Sequence, residues 1–188
     1  MRPVIKKRCC EVKTMRNLLL PLSESVRLSL RAGDEVTLSG DLYTGRDAAH
    51  KLMVQALEKG EPLPFPLNGE TIYYTGPTPA KPGQIIGSCG PTSSYRMDPY
   101  SPILMKHGLK VMVGKGPRSE TFRRSLVENG AVYLDVTGGI GALLSQRVKA
   151  MELVAYPWLE SEAIYRLRIE NFPAIVAYDS AGNDVFTF

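Results

Sequence analysis

The sequence predicts an α/β protein with a mixed β-sheet core, and three observations lead to this prediction. Segments with the two-residue alternation of strands are interspersed with segments that have the spacing of amphipathic helices. Some strand segments are separated by tight turns and others by a helix, which is the pattern of a sheet with antiparallel and parallel pairs. The 188 residues are 44% hydrophobic and 22% charged, as expected for one globular domain.

The first predicted elements are two strands joined by a tight turn. Apolar residues alternate with polar ones over 26–30 and again over 36–38, and Ala32-Gly33-Asp34 lies between the two runs. Alternation of this kind is typical of half-buried strands, and Gly beside Asp is typical of the turn between them. Residues 1–22 precede this hairpin. We predict an N-terminal extension there and a single domain over 23–188.

A helix is predicted to begin at Thr44. The Thr44 hydroxyl can cap the first turn, and Asp47 three residues later can complete a capping box. Apolar residues recur at helical spacing until Gly60, which favours the left-handed conformation that ends a helix. These apolar residues are Ala48, Ala49, Leu52, Met53 and Leu57.

The remaining elements alternate between strands and helices. Strands or apolar runs are predicted from Ile85-Ile86 and over 71–75, 109–113, 132–136, 153–156, 164–169 and 174–178. Helices are predicted over 101–105, 119–129 and 138–148, with Gly108 and Gly130 ending the first two. The turn over 179–183 leads into a final strand over 185–188, which forms a hairpin with the run before it.

The charge of the chain limits the classes of molecule that it is expected to bind. The net charge is +4, but the 23 basic residues are scattered among 19 acidic ones, and only Arg2–Arg8 is a basic cluster. We therefore expect no nucleic-acid partner, whereas a basic surface suits an anionic substrate or an acidic subunit. The apolar run Leu18–Leu22 is far too short for a membrane span or a signal-peptide core.

Cysteine content indicates the compartment. Cys9, Cys10 and Cys89 have neither the pairing expected of a disulfide framework nor the Cys-x-x-Cys spacing of zinc and iron–sulfur ligands. An odd count without a framework is typical of a reducing compartment. We expect a cytoplasmic protein with no membrane contact and no metal ligand of its own in this chain.

Three turns carry most of the functional signal. Each presents a cation near glycine or proline rather than within an apolar stripe, and these cations are Arg46, Arg96 and Lys115. Arginine forms bidentate pairs with a carboxylate, and lysine acts as a mobile point charge. Together the three turns predict a site that grips a small molecule with two carboxylates.

Each residue also has a simpler interpretation when it is taken alone. Arg46 can pair with a surface acid, which is the usual role of an exposed arginine. Thr92 and Ser93 can be ordinary turn hydroxyls. Lys115 is harder to explain in this way, because its flanking glycines let a ligand approach the backbone closely and allow an N–H nest for an anion.

Other motif classes fit poorly. Residues 137–141 are glycine-rich and follow a predicted strand, but they lack the three-glycine spacing of a dinucleotide site. Residues 108–115 resemble a P-loop, yet the segment is one residue too long and Gly116 replaces the magnesium-binding Ser or Thr. His50 and His107 have no neighbouring acid and nucleophile, so a Ser–His–Asp hydrolase is not supported.

Four motifs together resemble one protein family. They are Thr44–His50, Ile72–Pro77, Gly90–Thr92 with Arg96–Asp98, and Val113–Lys115, and they occur in the order seen in class I fumarases. The chain is similar to the C-terminal, or β, part of these iron–sulfur hydro-lyases, and the related L-tartrate dehydratases share the pattern. The similarity covers most of the chain.

The resemblance implies a fold, a cofactor and a partner. In this family the C-terminal domain is a swivelling β/β/α domain that works against an α part, and three cysteines of the α part hold a [4Fe-4S] cluster. The chain resembles only the β part, which implies a β subunit that is active with an α partner in a hetero-oligomer. The implied activity is that of a fumarate hydratase, a hydro-lyase that interconverts fumarate and malate.

The resemblance also implies roles for individual residues. The substrate carboxylates would be clamped by Arg46, Arg96 and Lys115. Thr92 would take part in abstracting the proton, and Ser93 would be a further substrate-binding residue. The sequence departs from the family pattern directly after Thr92, where Ser93 and Ser94 replace a second threonine and its neighbour.

Two alternatives remain open. One is an L-tartrate dehydratase β subunit, although Thr44–His50 is closer to the fumarase form of the motif. The other is a non-catalytic carboxylate-binding or assembly module that has lost its partner. Retention of the three cations and of Thr92 argues against this module.

Overall fold

The computed structural model describes residues 15–186, so the predictions on Arg2–Arg8, Cys9 and Cys10 lie outside the described residues. The strands are β1 (Arg16–Leu19), β2 (Glu35–Thr44), β3 (Thr71–Tyr73), β4 (Val111–Gly114), β5 (Val132–Asp135), β6 (Val148–Ala155) and β7 (Ile164–Tyr178). The α-helices are α1 (Glu24–Ser29), α2 (Asp47–Lys59), α3 (Ser101–Lys106), α4 (Glu120–Glu128) and α5 (Gly141–Ser145). Two 3₁₀ helices cover Ser94–Met97 and Pro157–Glu162.

The seven strands form one sheet with parallel and antiparallel pairs, which confirms the predicted α/β class with a mixed sheet. The strand order is β1-β2-β3-β4-β5-β7-β6, and β2 also pairs with β7. Neighbouring strands from β1 to β5 are parallel, whereas β7 runs antiparallel to β2, β5 and β6. The β2–β7 pairing closes β2, β3, β4, β5 and β7 into a ring of five strands, and the sequence did not predict this closure.

Both faces of the ring are buried, so its strands contribute to two hydrophobic cores. Val111 and Val113 of β4 pack in one core, while Met112 between them packs in the other. Alternate residues of a strand point to opposite faces, which explains this division. The core of Met112 also contains apolar residues of α2, α3 and α4, so these helices cover the outside of the ring. The longest helix, α2, has 13 residues, and within 15–186 no helix has the length and hydropathy that crossing a membrane requires.

The hairpin predicted over 26–38 is wrong. Residues 24–29 form α1, because Ser23 caps this helix by accepting a hydrogen bond from the Val26 N–H at 3.3 Å. A short alternating run does not by itself exclude a helix, and here the N-cap residue Ser23 favours the helix over a strand. β2 follows and pairs with β1 and β7 instead of with residues 26–30. The strand predicted from Ile85-Ile86 is also wrong, since this segment is irregular.

Thr44 does not cap the following helix, so the predicted capping box is wrong. α2 begins at Asp47 with Arg46 as its N-cap residue. The Thr44 hydroxyl instead donates to a carbonyl and accepts from an N–H at the start of β7. The predicted end is confirmed, because Gly60 adopts a left-handed conformation with φ of 69°. The elements predicted at β3, α3, β4, α4 and β5 are also confirmed, with small differences at their ends.

The long strand β7 replaces the two apolar runs predicted over 164–169 and 174–178. The helix predicted over 138–148 is reduced to α5, since Val148 is already the first residue of β6. After β7 the chain turns back with an isolated bridge between Tyr178 and Asp184. Residues 185 and 186 are irregular, and the rest of the predicted final strand lies outside the described residues.

Residues 16–22 belong to the packed structure, although they fall within the predicted N-terminal extension. β1 pairs in parallel with β2. Leu18, Leu20 and Leu22 are buried in the same core as Val111. The boundary predicted at residue 22 therefore falls inside the fold.

Candidate active site

Four of the five predicted site residues lie where the parallel strands end, and they are Arg46, Thr92, Ser93 and Lys115. β2, β3, β4 and β5 run in the same direction, so their carboxyl ends lie at one edge of the sheet. The chain continues from these ends into Gly45-Arg46, Tyr74–Gly76, Lys115 and Val136–Gly138. In α/β sheets, ligands bind outside the carboxyl ends of the parallel strands. We call this region the carboxyl edge.

The segment 90–94 crosses the carboxyl edge and carries Thr92. On the side of β3, the Thr92 N–H donates to the Tyr74 carbonyl at 2.8 Å. On the side of β4, Ser93 forms an isolated bridge with Lys115. Thr92 and Ser93 thus lie between the ends of β3 and β4, and the structure brings both to the turn that contains Lys115.

Ser94 joins the Thr92 segment to the Lys115 turn. Its side chain is fully buried, and its Oγ accepts a hydrogen bond from the Lys115 N–H at 2.7 Å. The Ser94 N–H donates in turn to the Lys115 carbonyl at 3.2 Å. Gly114 makes room for this side chain, because a Cβ atom at position 114 would overlap Ser94 Oγ. In the sequence Ser94 is only a departure from the family pattern, and the link that it makes to Lys115 was not predicted.

The Lys115 side chain lies along the end of β5. A Cβ atom on Gly138 would come within 2.9 Å of Lys115 Cδ, so the glycine leaves the space in which this side chain lies. The next amide, the Gly116 N–H, donates to Oδ1 of Asp135 at 2.7 Å. Burial raises the pKa of Asp135, and the Gly116 N–H and the positive charge of Lys115 oppose this rise. Sequence reasoning missed Asp135, although its place at the end of a predicted strand was a usable signal.

Arg46 reaches the carboxyl edge beside β3. A Cβ atom on Gly76 would lie 2.9 Å from Arg46 Cδ, so the arginine side chain runs across this glycine. Its Nη2 lies 3.1 Å from Oε1 of Glu162 and 3.7 Å from Oδ1 of Asp47. Arg46 therefore forms an ion pair with an acidic residue, as its simpler interpretation predicts, and that residue is Glu162. Sequence reasoning missed Glu162, because the two residues are far apart in the chain.

Arg96 lies in the first 3₁₀ helix and is exposed. Among residues 15–186 its guanidinium is in no ion pair. The helix is anchored at Asp98, whose Oδ1 lies 2.6 Å from Arg118 Nε and whose Oδ2 accepts the Ser119 N–H at 2.7 Å. The structure thus presents Arg96 at the surface, on an anchored element that continues the Thr92 segment.

Two buried titratable side chains near the site stay uncharged. The Nδ1 of His50 lies 2.9 Å from the Arg46 carbonyl, and burial lowers the His50 pKa to about 4. We therefore assign the ring proton to Nδ1, as the donor to that carbonyl. Burial also raises the pKa of the Cys89 thiol to about 12. Among residues 15–186 no three His, Cys, Asp or Glu side chains are placed to hold one metal ion.

Comparison with known families decides what this site belongs to. The family model described as Fumarase C-terminus matches residues 8–188, which is nearly the whole chain. The chain belongs to the Fumarase C-terminus family. The family resemblance inferred from the four motifs is thereby confirmed, and the turns that carry Arg46, Thr92 and Lys115 are parts of a Fumarase C-terminus domain.

Curated relatives of this Fumarase C-terminus chain are named as enzymes that add or remove water. The chain is 38% identical over 179 residues to the anaerobic class I fumarate hydratase of Escherichia coli K12, a match that covers 93% of this chain and 31% of the relative. It is 39% identical over 153 residues to the mitochondrial fumarate hydratase 1 of Leishmania major, covering 80% of this chain and 28% of the relative. The chain therefore spans about a third of the length of these fumarate hydratases.

A third relative is similar in length to this chain. The putative L(+)-tartrate dehydratase subunit beta of Methanocaldococcus jannaschii is 38% identical over 165 residues, which are 84% of this chain and 84% of the relative. That relative is named as a subunit. Within the Fumarase C-terminus family, a chain of this extent thus matches a part of the fumarate hydratases and most of a β subunit.

Proposed function

We propose that this chain is the β subunit of a class I fumarate hydratase, which interconverts fumarate and malate together with an α subunit. The observation that carries the proposal is the placement of Thr92, Lys115 and Arg46 at one carboxyl edge in a Fumarase C-terminus domain. The match over most of a relative named as a β subunit supports a separate subunit.

The cations at the carboxyl edge suit a small dicarboxylate. Arg46 lies beside β3 and Lys115 lies beside β5, so positive charge flanks the Thr92 segment on both sides. Arg96, on the exposed 3₁₀ helix, would add a bidentate contact to a carboxylate once the α subunit covers the edge. Cations that are fixed in place stabilise the negative charge that develops on the substrate as its C–H bond breaks.

Thr92 would act on the proton of the substrate. An alcohol at its ordinary acidity is a poor base, so Thr92 needs nearby positive charge, or a carboxylate of the α subunit, to take or relay a proton. Its backbone is fixed by the Tyr74 carbonyl and by the Ser93–Lys115 bridge. A fixed backbone supports a role that depends on orientation, and Ser93 on the same segment would contact a substrate carboxylate.

The [4Fe-4S] cluster implied by the family resemblance does not fit the described part of this chain. Cluster ligands are thiolates, whereas the Cys89 thiol is buried and has a pKa of about 12. We therefore propose that the α subunit carries the cluster. This chain would supply the cations and the Thr92 hydroxyl.

An L-tartrate dehydratase β subunit is the second candidate. The similar length of the relative with that name favours it. Both reactions act on hydroxy-dicarboxylates, so the same cations serve either substrate. The fumarase form of the Thr44–His50 motif favours the first candidate.

The proposal includes a swivelling β/β/α class for the fold, a single domain, a hetero-oligomer and a cytoplasmic location. The closed ring of five strands with helices outside it supports a layered class of this kind. The free thiol of Cys89 supports a reducing compartment. The cations of the site lie at an open edge of the sheet, which supports the proposal that a partner subunit covers this edge.

Co-expression with an α subunit tests the proposal. The candidate partner is an adjacent reading frame with three cluster-ligand cysteines, and the complex should convert fumarate to malate with a higher kcat/KM than it shows for tartrate. The pure chain should be inactive, and malate formation by it alone would contradict the split-subunit proposal. A preference for tartrate would favour the second candidate. A complex without either activity would favour the non-catalytic module.

A further inference from the structure

The connection between β6 and β7 lies on the turn that carries Arg46. We call residues 157–163 of this connection the bracing segment. The Thr44 hydroxyl donates to the Ala163 carbonyl at 3.2 Å and accepts a hydrogen bond from the Tyr165 N–H at 2.9 Å. A Cβ atom on Gly76 would come within 2.8 Å of the Ser161 carbonyl. The bracing segment therefore packs against the ends of both β2 and β3.

The backbone of the bracing segment is strained at one position. Glu160 has φ of 52° and ψ of −113°, a combination that residues other than glycine rarely adopt. Such a conformation persists only where surrounding contacts hold the chain. The hydrogen bonds of Thr44 and the ion pair of Arg46 are contacts of this kind.

Glu162 of the bracing segment is engaged at both carboxylate oxygens. Its Oε1 lies 3.1 Å from Nη2 of Arg46, and its Oε2 accepts a hydrogen bond from the Ala48 N–H at 3.3 Å, in the first turn of α2. The Arg46 and Glu162 side chains are only 22% and 24% exposed. A shielded, charge-assisted pair that is also anchored at a helix N-terminus holds its geometry better than an exposed pair.

The ion pair engages one side of the Arg46 guanidinium. Among residues 15–186, the two carboxylates within ion-pair distance, Glu162 and Asp47, both approach Nη2. Nη1 lies instead beside Gly76, 3.2 Å from where a Cβ atom would stand. It therefore faces the end of β3, where the Thr92 segment crosses. A substrate carboxylate that bound on the Nη1 side would leave the contact between Nη2 and Glu162 in place.

We propose that Glu162 is a positioning residue, which fixes the Arg46 guanidinium so that its Nη1 side meets one carboxylate of the substrate. This inference rests on the proposed function, because it assigns a dicarboxylate to the carboxyl edge. The rival arrangement is that Glu162 occupies Arg46 only until the substrate displaces it. The second anchor of Glu162, at the Ala48 N–H, opposes displacement, because leaving would break that hydrogen bond as well.

Two glutamates of the same 3₁₀ helix form a matched pair for the test. Glu162→Gln and Glu160→Gln each remove one negative charge, but of the two only Glu162 pairs with Arg46. In the reconstituted complex, Glu162→Gln should raise the KM for malate about tenfold and leave kcat within about twofold, since it removes binding that is uniform along the reaction. The Kd of succinate, a dicarboxylate that cannot react, should rise by the same factor in calorimetry. Glu160→Gln should change neither constant.

A double-mutant cycle decides whether Glu162 acts through Arg46. In an Arg46→Ala background, Glu162→Gln should cause no further rise in the KM for malate or the Kd of succinate. The inference is overturned if Glu162→Gln raises these two constants equally in the wild-type and Arg46→Ala backgrounds, or raises them in neither. Tighter succinate binding by Glu162→Gln also overturns it, in favour of displacement.

The succinate measurement separates this inference from the proposed function. A wild-type complex that binds succinate but does not hydrate fumarate contradicts the proposed function alone, and the Kd values of the variants still decide the role of Glu162. A wild-type complex that hydrates fumarate, with an unaffected Glu162→Gln variant, contradicts only the positioning role. A wild-type complex that binds no succinate contradicts both.

Discussion

At the scale of single residues, Thr92 is the position where proton chemistry can be separated from binding. If its hydroxyl handles the substrate proton, Thr92→Ala should lower kcat by about 10²–10⁴-fold, the usual effect of losing a general acid–base group. The KM for malate should stay within a few-fold, because an interaction made only in the transition state lowers kcat and kcat/KM together. Steady-state kinetics of the reconstituted complex would measure both constants.

The conservative variant Thr92→Ser is the control for the Thr92 prediction. Serine keeps the hydroxyl but lacks the methyl group that restricts the rotamer, so its kcat should lie between those of wild type and Thr92→Ala. If Thr92 only shapes the 90–94 segment, Thr92→Ala would instead raise KM and reduce stability while kcat changes little. A defect confined to KM would remove the catalytic role of Thr92.

The residues of the site were predictable only where the signal is local. Arg46, Thr92 and Lys115 lie beside glycine or proline, and turn signals of this kind can be read from the sequence. The position of Asp135 at the end of a predicted strand was a usable signal, but Glu162 could not be assigned to Arg46, because their contact joins segments that are distant in sequence. Such pairings depend on the folded chain and leave no short-range pattern.

At the scale of elements, a buried ion pair joins the first 3₁₀ helix to the start of α4. Arg118 Nε lies 2.6 Å from Asp98 Oδ1, and the arginine side chain is 0% exposed. The guanidinium also lies 3.5 Å from the ring centroid of Phe122. This tether fixes the helix that presents Arg96, so its loss should affect the fold and the site together.

Removing the carboxylate of this tether should be strongly destabilising. Asp98→Ala leaves a buried guanidinium without its anion, and loss of one partner of a buried pair costs about 3–5 kcal/mol in the free energy of unfolding. Arg124→Ala is the control, because the Arg124–Glu120 pair is exposed, with 75% of the arginine side chain accessible, and such pairs contribute about 0–1 kcal/mol. Urea unfolding of the isolated chain measures both variants. Equal, small losses would show that the tether does not hold the helix.

Two element-scale errors have a common physical origin. The run over 26–30 alternates like a strand, but the Ser23 cap stabilises a helix there. The predicted runs over 164–169 and 174–178 are two separate segments, and Pro173 lies between them. In the fold, β7 continues through these residues by pairing with β2. Local pattern predicts the type of long elements well, and tertiary pairing decides the short and interrupted ones.

At the scale of the whole molecule, closure of the sheet explains why the site has its form. The ring forms because β2 pairs with β7, for example at Leu42 opposite Leu167. The two paired residues are far apart in the sequence, so no periodic pattern of residues indicates this pairing. The same pairing brings the bracing segment to Arg46, since that segment precedes β7 directly. Closure therefore links the stability of the fold to the geometry of the site.

Packing of α2 against the ring buries His50 completely. Burial, the largest cause, lowers the pKa of His50 from 6.5 to about 4, and the positive charge of Arg118 acts in the same direction. In the unfolded chain the imidazole regains its ordinary pKa of about 6.5. Between these two values the unfolded chain binds a proton that the folded chain does not, so protonation favours unfolding.

The stability of the molecule should therefore fall as the pH decreases through this window. The contribution of His50 is fully present above pH 6.5 and is lost progressively towards pH 4, and the shift corresponds to about 3 kcal/mol in the free energy of unfolding. His50→Gln should flatten the dependence of this free energy on pH between 4 and 6.5, even though the variant is less stable at pH 7. His107→Gln is the control variant, because it removes a histidine at an exposed position at the end of α3. Urea unfolding measured at intervals across the window compares the slopes, and an unchanged slope in His50→Gln would mean that the buried imidazole is not what makes the fold acid-sensitive.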